Sequence, residues 1–223
     1  MTMDKSESPV RTLRSLDEHE KRSLIIARSH GVESDDGVVI RRLRPSDGDR
    51  LHRWWNDPKV MSHVGFPNGL KISREDVDKI VVASIGDDAE LGSQRRFIIE
   101  TAKQFMPIGE MNYSAWDMTN GTVSIGIKIC EHDVLRQGYA SAALRCFISY
   151  LFEHLEVNTI QLDTFARNEP ARRLYERVGF REVAIRRQGD VPGATDGDGE
   201  VVFFELIRSS WPTADGATRT GGE

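Results

Sequence analysis

The chain has 223 residues, enough for one full-sized domain that buries about 70% of its extended surface without a disulfide or metal staple. A formal net charge of −5 argues against non-specific affinity for nucleic acid or anionic membrane, and fits a cationic or amine-bearing substrate without requiring one. Two cysteines in apolar surroundings, Cys130 and Cys146, read as buried free thiols of a cytoplasmic protein, and no apolar stretch is long enough to cross a bilayer.

Residues 1–37 read as an N-terminal extension, polar over 1–9. Leu13, Leu16, Leu24, Ile25 and Ile26 stand among charges and predict an amphipathic helix over 13–27, closed by Gly31 and the linker Glu33-Ser34-Asp35-Asp36-Gly37. The folded domain is expected over 38–210, with an unstructured tail over 211–223. It opens on the strand Val38-Val39-Ile40 and the turn Pro45-Ser46-Asp47-Gly48. Asp47 is placed to cap a helix with Leu51, Trp54 and Trp55 inward, broken by Asn56-Asp57-Pro58. Ser73 and Asp76 signal a second helix carrying Val77, Ile80 and Val81.

Strands follow at Phe97-Ile98-Ile99 and from Pro107 to Tyr113, and Asn120-Gly121 marks a hairpin turn. Val123, Ile125, Ile127 and Ile129 alternate with Ser124, Gly126 and Lys128, the period of a strand with one apolar face. Ala140, Leu144, Phe147, Ile148 and Leu151 give a helix over 137–155. A strand over 159–164, a short helix over 170–178 closed by Gly179, a strand over 180–185, a Gly- and Asp-rich loop over 189–199 and a strand over 201–207 complete one mixed α/β layer architecture.

The chemistry concentrates where the strand ending near Cys130 meets the helix after Leu135-Arg136-Gln137-Gly138-Tyr139-Ala140. Amides at a helix start have no internal partner and point their dipoles at any anion placed there. Gly138 and Ala140 permit close approach of a phosphate, and Arg136 adds charge. Strand–glycine–helix junctions that bind nothing are common, so this motif alone leaves the question open. It is neither a Walker loop nor a dinucleotide-binding turn.

A second segment, Asn168-Glu169-Pro170-Ala171-Arg172-Arg173-Leu174-Tyr175-Glu176-Arg177-Val178-Gly179-Phe180, directly follows a strand. Together with Leu135 to Ala140 it resembles the cofactor-binding half of the GCN5-related N-acetyltransferase (GNAT) superfamily. Trp54-Trp55-Asn56-Asp57-Pro58-Lys59-Val60 resembles its ribosomal-protein-alanine branch. The resemblance covers residues 38–210. It implies the α/β (α+β) acyl-CoA N-acyltransferase fold, a mixed central sheet with a splayed strand pair flanked by helices.

It also implies acetyl-CoA as cosubstrate and no metal. The phosphate loop becomes Leu135, Arg136, Gln137, Gly138, Tyr139 and Ala140, with Leu135 where the family usually has Gln or Arg. Ile127, Lys128, Ile129 and Cys130 supply the edge for the pantetheine arm, and Asn168, Ala171 and Arg172 lie at the start of the next helix beside the cofactor. Tyr175 takes the place of the tyrosine that protonates the departing thiolate. Read without the family, Tyr175 is a helix-face aromatic packed on the sheet and Asn168 a helix cap.

Glu110, on the strand facing the splayed one and on the face of Asn112, is the candidate general base, though a solvated strand carboxylate reads equally well. Ser124 stands where relatives often carry an acid. His63, Trp55 and Phe66 are candidates for the acceptor wall, with Trp54 in the core. The expected acceptor is a small polyamine or aminoglycoside-like amine. The alternatives are a protein N-terminus, or a CoA-binding module without turnover. Neither nucleic acid nor membrane is an expected partner, and a homodimer is compatible with the family's habit.

Overall fold

The computed structural model describes residues 24–26, 37–86, 94–117, 119–155, 157–190 and 199–212. Its centre is an eight-stranded sheet in the order β1-β2-β3-β4-β5-β6-β8-β7. The strands are β1 (Leu24–Ile26), β2 (Val38–Arg42), β3 (Arg95–Thr101), β4 (Pro107–Asp117), β5 (Thr122–Ile129), β6 (Thr159–Phe165), β7 (Arg181–Arg187) and β8 (Glu200–Ile207). Every neighbouring pair is antiparallel except β5 and β6. That parallel pair needs a crossover, which α4 (Tyr139–His154) provides.

Both faces of the sheet are covered over its middle. On one face α4 and α5 (Glu169–Val178) bury Leu144, Phe147, Ile148, Leu151 and Tyr175 against Ile99, Met111, Val123, Ile125, Leu162 and Phe204. On the other lie α1 (Gly48–Asn56), α2 (Pro58–Met61) and α3 (Arg74–Gly86). They pack Leu51, Trp54, Trp55, Val77 and Val81 over Ile98 and Cys130. The α3 start carries the expected reciprocal cap: the Asp76 amide donates to Ser73 Oγ (3.1 Å), which donates to the Asp76 carboxylate (2.7 Å).

Two local expectations are corrected. Leu24, Ile25 and Ile26, assigned to the end of an amphipathic helix, form β1, antiparallel to β2 with Ile25 opposite Ile40. Three consecutive large apolar residues, two of them β-branched, suit an extended edge better than a helix face. The rest of that helix, at 13–23 and Ala27, lies outside the described residues, as do 191–198 and 213–223. Asp47 precedes α1 but makes no side-chain cap there. Its carboxylate instead accepts from Arg41 Nη1 and Nη2 (2.7 Å each) and from the Arg44 amide. Arg41 also reaches Glu100 at 2.6 Å, so one buried guanidinium ties β2, β3 and the start of α1 together.

Candidate active site

The sheet opens along the β5–β6 seam. These strands pair only at Thr122, Val123 and Ser124 with Thr159, Ile160 and Gln161. β5 continues five residues further beside β4, as far as Ile129 opposite Gly109. The Cys130 amide donates to Ile108 O (2.8 Å), which fixes the alternation. Backbone groups of Lys128 and Gly126 therefore face β4, and those of Ile125, Ile127 and Ile129 turn into the gap. A strand edge with unpaired donors and acceptors, shielded by helices on both faces, invites an extended ligand to pair with it.

Above the gap the chain turns sharply into α4. Arg136 (φ 64°) and Gly138 (φ 89°) are both left-handed, and Gly138 is the helix N-cap residue. The first amide bonded inside the helix is that of Ala142, to Gly138 O. The amides of Tyr139, Ala140 and Ser141 are thus left for an outside acceptor, with no side-chain cap and no acidic residue in the first turn. Successive turns of this hand form a concave nest of donors that suits a phosphate. Arg136, Arg145 and Arg177 line the same cleft, whose volume is about 1480 Å³.

The opposite wall is α5. Asn168 caps it, accepting from the Ala171 amide (3.4 Å), while its Nδ2 donates to Thr164 Oγ1 (3.1 Å). Gly179, at φ 117°, closes the helix. The cap and the packing of Tyr175 on Phe204 (5.6 Å, edge-on) and Phe180 (6.1 Å) fix where this ring stands. Tyr175 is 7% exposed and lines the cleft. Burial, and next the nearby charge of Asp163, push its phenol well above the ordinary range, so it stays protonated at neutral pH.

Under α1 the cleft is polar. A β-bulge between Ile99 and Glu100 shifts the β3–β4 register. Ile108 consequently packs on the α4 side while Glu110, two residues on, faces α1. Glu110 is 1% exposed, and both carboxylate oxygens are engaged. Oε1 accepts from Trp55 Nε1 (2.7 Å) and meets Lys128 Nζ (2.7 Å), and Oε2 meets Arg96 Nη1 (3.1 Å). Burial alone would raise its pKa, but the two cations and the indole outweigh it and hold it below its ordinary value. A general base needs a free lone pair and high proton affinity, and this environment lowers both. Arg96 also stacks over Trp55, at 5.0 Å from the ring centroid.

Of the residues expected at the cofactor, Ile127, Lys128, Ile129, Leu135, Arg136, Gly138, Tyr139, Ala140, Asn168 and Ala171 line this one cleft, with Tyr175 and Glu110. Three do not. Cys130 is buried under α1, where desolvation raises its thiol pKa far from a nucleophile's. Gln137 turns its amide back to Asp133 O (2.8 Å). Arg172 donates to Ala166 O and pairs with Glu182 (3.3 Å). His63, Trp55 and Phe66 also line the cleft, whereas Trp54 is core and donates to Glu131 (3.0 Å).

Arg96, Arg145, Arg177 and Asp163 line the cleft as well, and the sequence reading did not single them out. For Asp163 a signal existed: strand alternation puts it on the polar face, five residues before Asn168. Among the described residues no cluster of three or more His, Cys, Asp or Glu could hold a metal ion, and no helix is long and apolar enough to cross a membrane.

A family model, acetyltransferase (GNAT) domain, matches residues 38–181. YdaF of Bacillus subtilis, named as a candidate ribosomal N-acetyltransferase, is 32% identical over 79% of this chain and 94% of its own. An aminoglycoside N(6′)-acetyltransferase type 1 of Serratia marcescens is 25% identical over 87% of this chain and 95% of its own. Among solved structures, the spermidine N-acetyltransferase of Vibrio cholerae in complex with CoA and spermine superposes with a TM-score of 0.67. It is 22% identical, covering 78% of this chain and 96% of that one, a likeness of fold.

Proposed function

The chain belongs to the acetyltransferase (GNAT) family, and on that premise we propose that it acetylates a primary amine of a small polyamine or aminoglycoside-like acceptor within a ternary complex. N-acetyltransferase activity with acetyl-CoA as cosubstrate follows from the family itself. The acceptor and the roles of individual residues are our reading. What carries it is the junction of three features in one cleft: the uncapped start of α4, the unpaired edge of β5, and the phenol of Tyr175.

In this reading the amides of Tyr139, Ala140 and Ser141, with Arg136, hold the pyrophosphate. The pantetheine arm pairs with the backbone of Ile127 and Ile129, which brings the thioester into the gap. The amine nitrogen attacks the carbonyl carbon, a C–N bond forms, and the resulting oxyanion collapses with breakage of the C–S bond. Tyr175 gives its proton to the departing thiolate. Glu110 acts as a positioning residue, holding Trp55, Lys128 and Arg96 in place. That cluster carries one net positive charge, which lowers the proton affinity of an amine bound beside it and favours the neutral nucleophile.

A protein N-terminus is the second reading, supported by one observation. Lys59, His63, Arg96 and Lys128 line the α1–α2 side of the cleft, against the single carboxylate Glu110, an environment that repels a polycation more than it does a peptide. The resemblance of the segment from Trp54 to Val60 to the ribosomal-protein-alanine branch and the name of YdaF support the same reading.

The first test is calorimetric titration of the protein and of Gly138→Glu with acetyl-CoA. A Cβ at Gly138 meets nothing within 4 Å, so the variant's folding cost is confined to its left-handed backbone, roughly 1–2 kcal/mol. Binding by the unaltered protein that is lost in Gly138→Glu supports the phosphate site. Thiol release with spermine, kanamycin and an alanine-terminated peptide then separates the two acceptor readings. Absence of acetyl-CoA binding to the unaltered protein overturns both.

A further inference from the structure

Two carboxylates line the cleft among the described residues, Glu110 and Asp163. Glu110 is committed to three donors. Among the described residues Asp163 has no hydrogen-bond or ion-pair partner, and its side chain is exposed to the cleft. It lies on β6, two residues beyond Gln161, where β5 and β6 part.

The register fixes which way it looks. Ser124 lies opposite Gln161, and Glu110 opposite Lys128, so Asp163 shares the sheet face of Gly126, Lys128 and Glu110 beneath α1. Tyr175 reaches the same gap from the other face, where its ring packs on Phe204, the partner of Leu162. The two are close enough for the charge of Asp163 to act on the phenol. An unpaired carboxylate and a protonated phenol therefore flank the opening from opposite faces of the sheet.

Resting on the acetyltransferase reading above, we propose that Asp163 is the general base, taking the proton from the acceptor nitrogen as it adds to the thioester carbonyl. The neutral amine forms the C–N bond and becomes a positively charged nitrogen. Asp163 accepts one proton from it. The C–S bond then breaks, and the thiolate takes one proton from Tyr175. Transfer of the proton from Asp163 to the phenolate restores both groups, and no oxidant, reductant or metal is needed. An amine that arrives as ammonium first releases one proton to solvent.

The cleft walls exclude enough water to raise the proton affinity of Asp163 above its ordinary value, although the side chain reaches solvent. Charged and titratable groups sharing the cleft with it are Tyr175 and Arg177 from α5, Arg136, Tyr139 and Arg145 at α4, and Lys128 from β5. Glu110 comes from β4, Arg96 from β3, and Lys59, His63 and His132 from the α2 side. On β8 it faces Phe203. The cations oppose protonation and the desolvation favours it, so the acid limb of kcat, taken at saturating amine where ionisation of the free acceptor drops out, reports the balance.

The test is Asp163→Asn, an isosteric change. Three readings are taken: acetyl-CoA affinity, thiol release against pH with spermine, kanamycin and an alanine-terminated peptide, and slow hydrolysis of acetyl-CoA by water. The expected result is unchanged acetyl-CoA affinity, a kcat about 100-fold lower and loss of the acid limb. A purely structural role would lower the rate without removing that limb. A kcat within a few-fold of the unaltered enzyme, or an acid limb that stays in place, overturns the assignment of Asp163 and leaves the acetyltransferase reading intact. An unaltered protein that binds no acetyl-CoA overturns that reading, and this proposal with it.

Discussion

Glu110 and Tyr175 show how far a side chain's surroundings redirect its chemistry. Glu110 sits in the cleft, as expected for a base, yet Trp55, Lys128 and Arg96 hold it ionised and engaged. Its pKa in the folded protein lies below that of the unfolded chain. The carboxylate therefore stabilises the fold above the unfolded pKa, and this contribution is lost as pH falls through the lowered folded value. Glu110→Gln leaves two largely buried cations without their counter-charge, and should cost about 3 kcal/mol at neutral pH by urea denaturation. The difference from the unaltered protein should begin to shrink below about pH 4, where the unfolded-state carboxylate takes up its proton while the folded one is still ionised. Tyr175→Phe is the complementary case, because the ring keeps its packing on Phe204 and Phe180 and loses only the hydroxyl. We expect acetyl-CoA affinity to stay unchanged and kcat to fall about 100-fold.

At the scale of elements, strand and helix types were legible wherever periodicity was clean, as in β5 with its alternating isoleucines and α4 with its apolar stripe. Register was less legible. Taking Asn120 and Gly121 as a two-residue hairpin turn would set Thr119 opposite Thr122, and hence Glu110 opposite Glu131. Glu110 would then share a face with Ile127 and Ile129. The observed connection is longer: Asp117 pairs with Thr122, and its carboxylate accepts the amides of Thr119 and Asn120. That slips the register by two residues, and an irregularity between Ser114 and Asp117 shifts it by one more, which changes the face and brings Glu110 opposite Lys128. Matching the polar faces of the two strands would have found this pairing, since a one-residue slip exchanges the faces. The bulge at Ile108 and the strand at Leu24–Ile26 had no such signal, being decided by contacts distant in sequence. The close approach of β4 to β5 also makes a prediction. A Cβ on Gly109 would run into the Lys128 carbonyl oxygen, so Gly109→Ala should destabilise by about 2–3 kcal/mol, read from the urea midpoint at unchanged slope.

On the scale of the whole molecule, the sheet is two half-sheets held by three parallel residue pairs and by the helices that bridge them. A ligand pairing along β5 would bridge the seam and stabilise the native state as a whole. At a concentration 100 times its Kd, acetyl-CoA should add about 2.7 kcal/mol, a rise in Tm of about 8 °C for a chain of this size. That shift alone would follow from binding anywhere, so amide exchange must locate it. The amides of Ile127 and Ile129 face the gap, and the Cys130 amide is already bonded to Ile108 O. Cosubstrate inserted as an added strand should therefore slow exchange at Ile127 and Ile129 far more than at Lys128 and Cys130, an every-other-residue pattern resolvable by NMR. Uniform slowing across all four would mean that the fold tightens without backbone pairing, and the pantetheine would then have to be held by side chains alone.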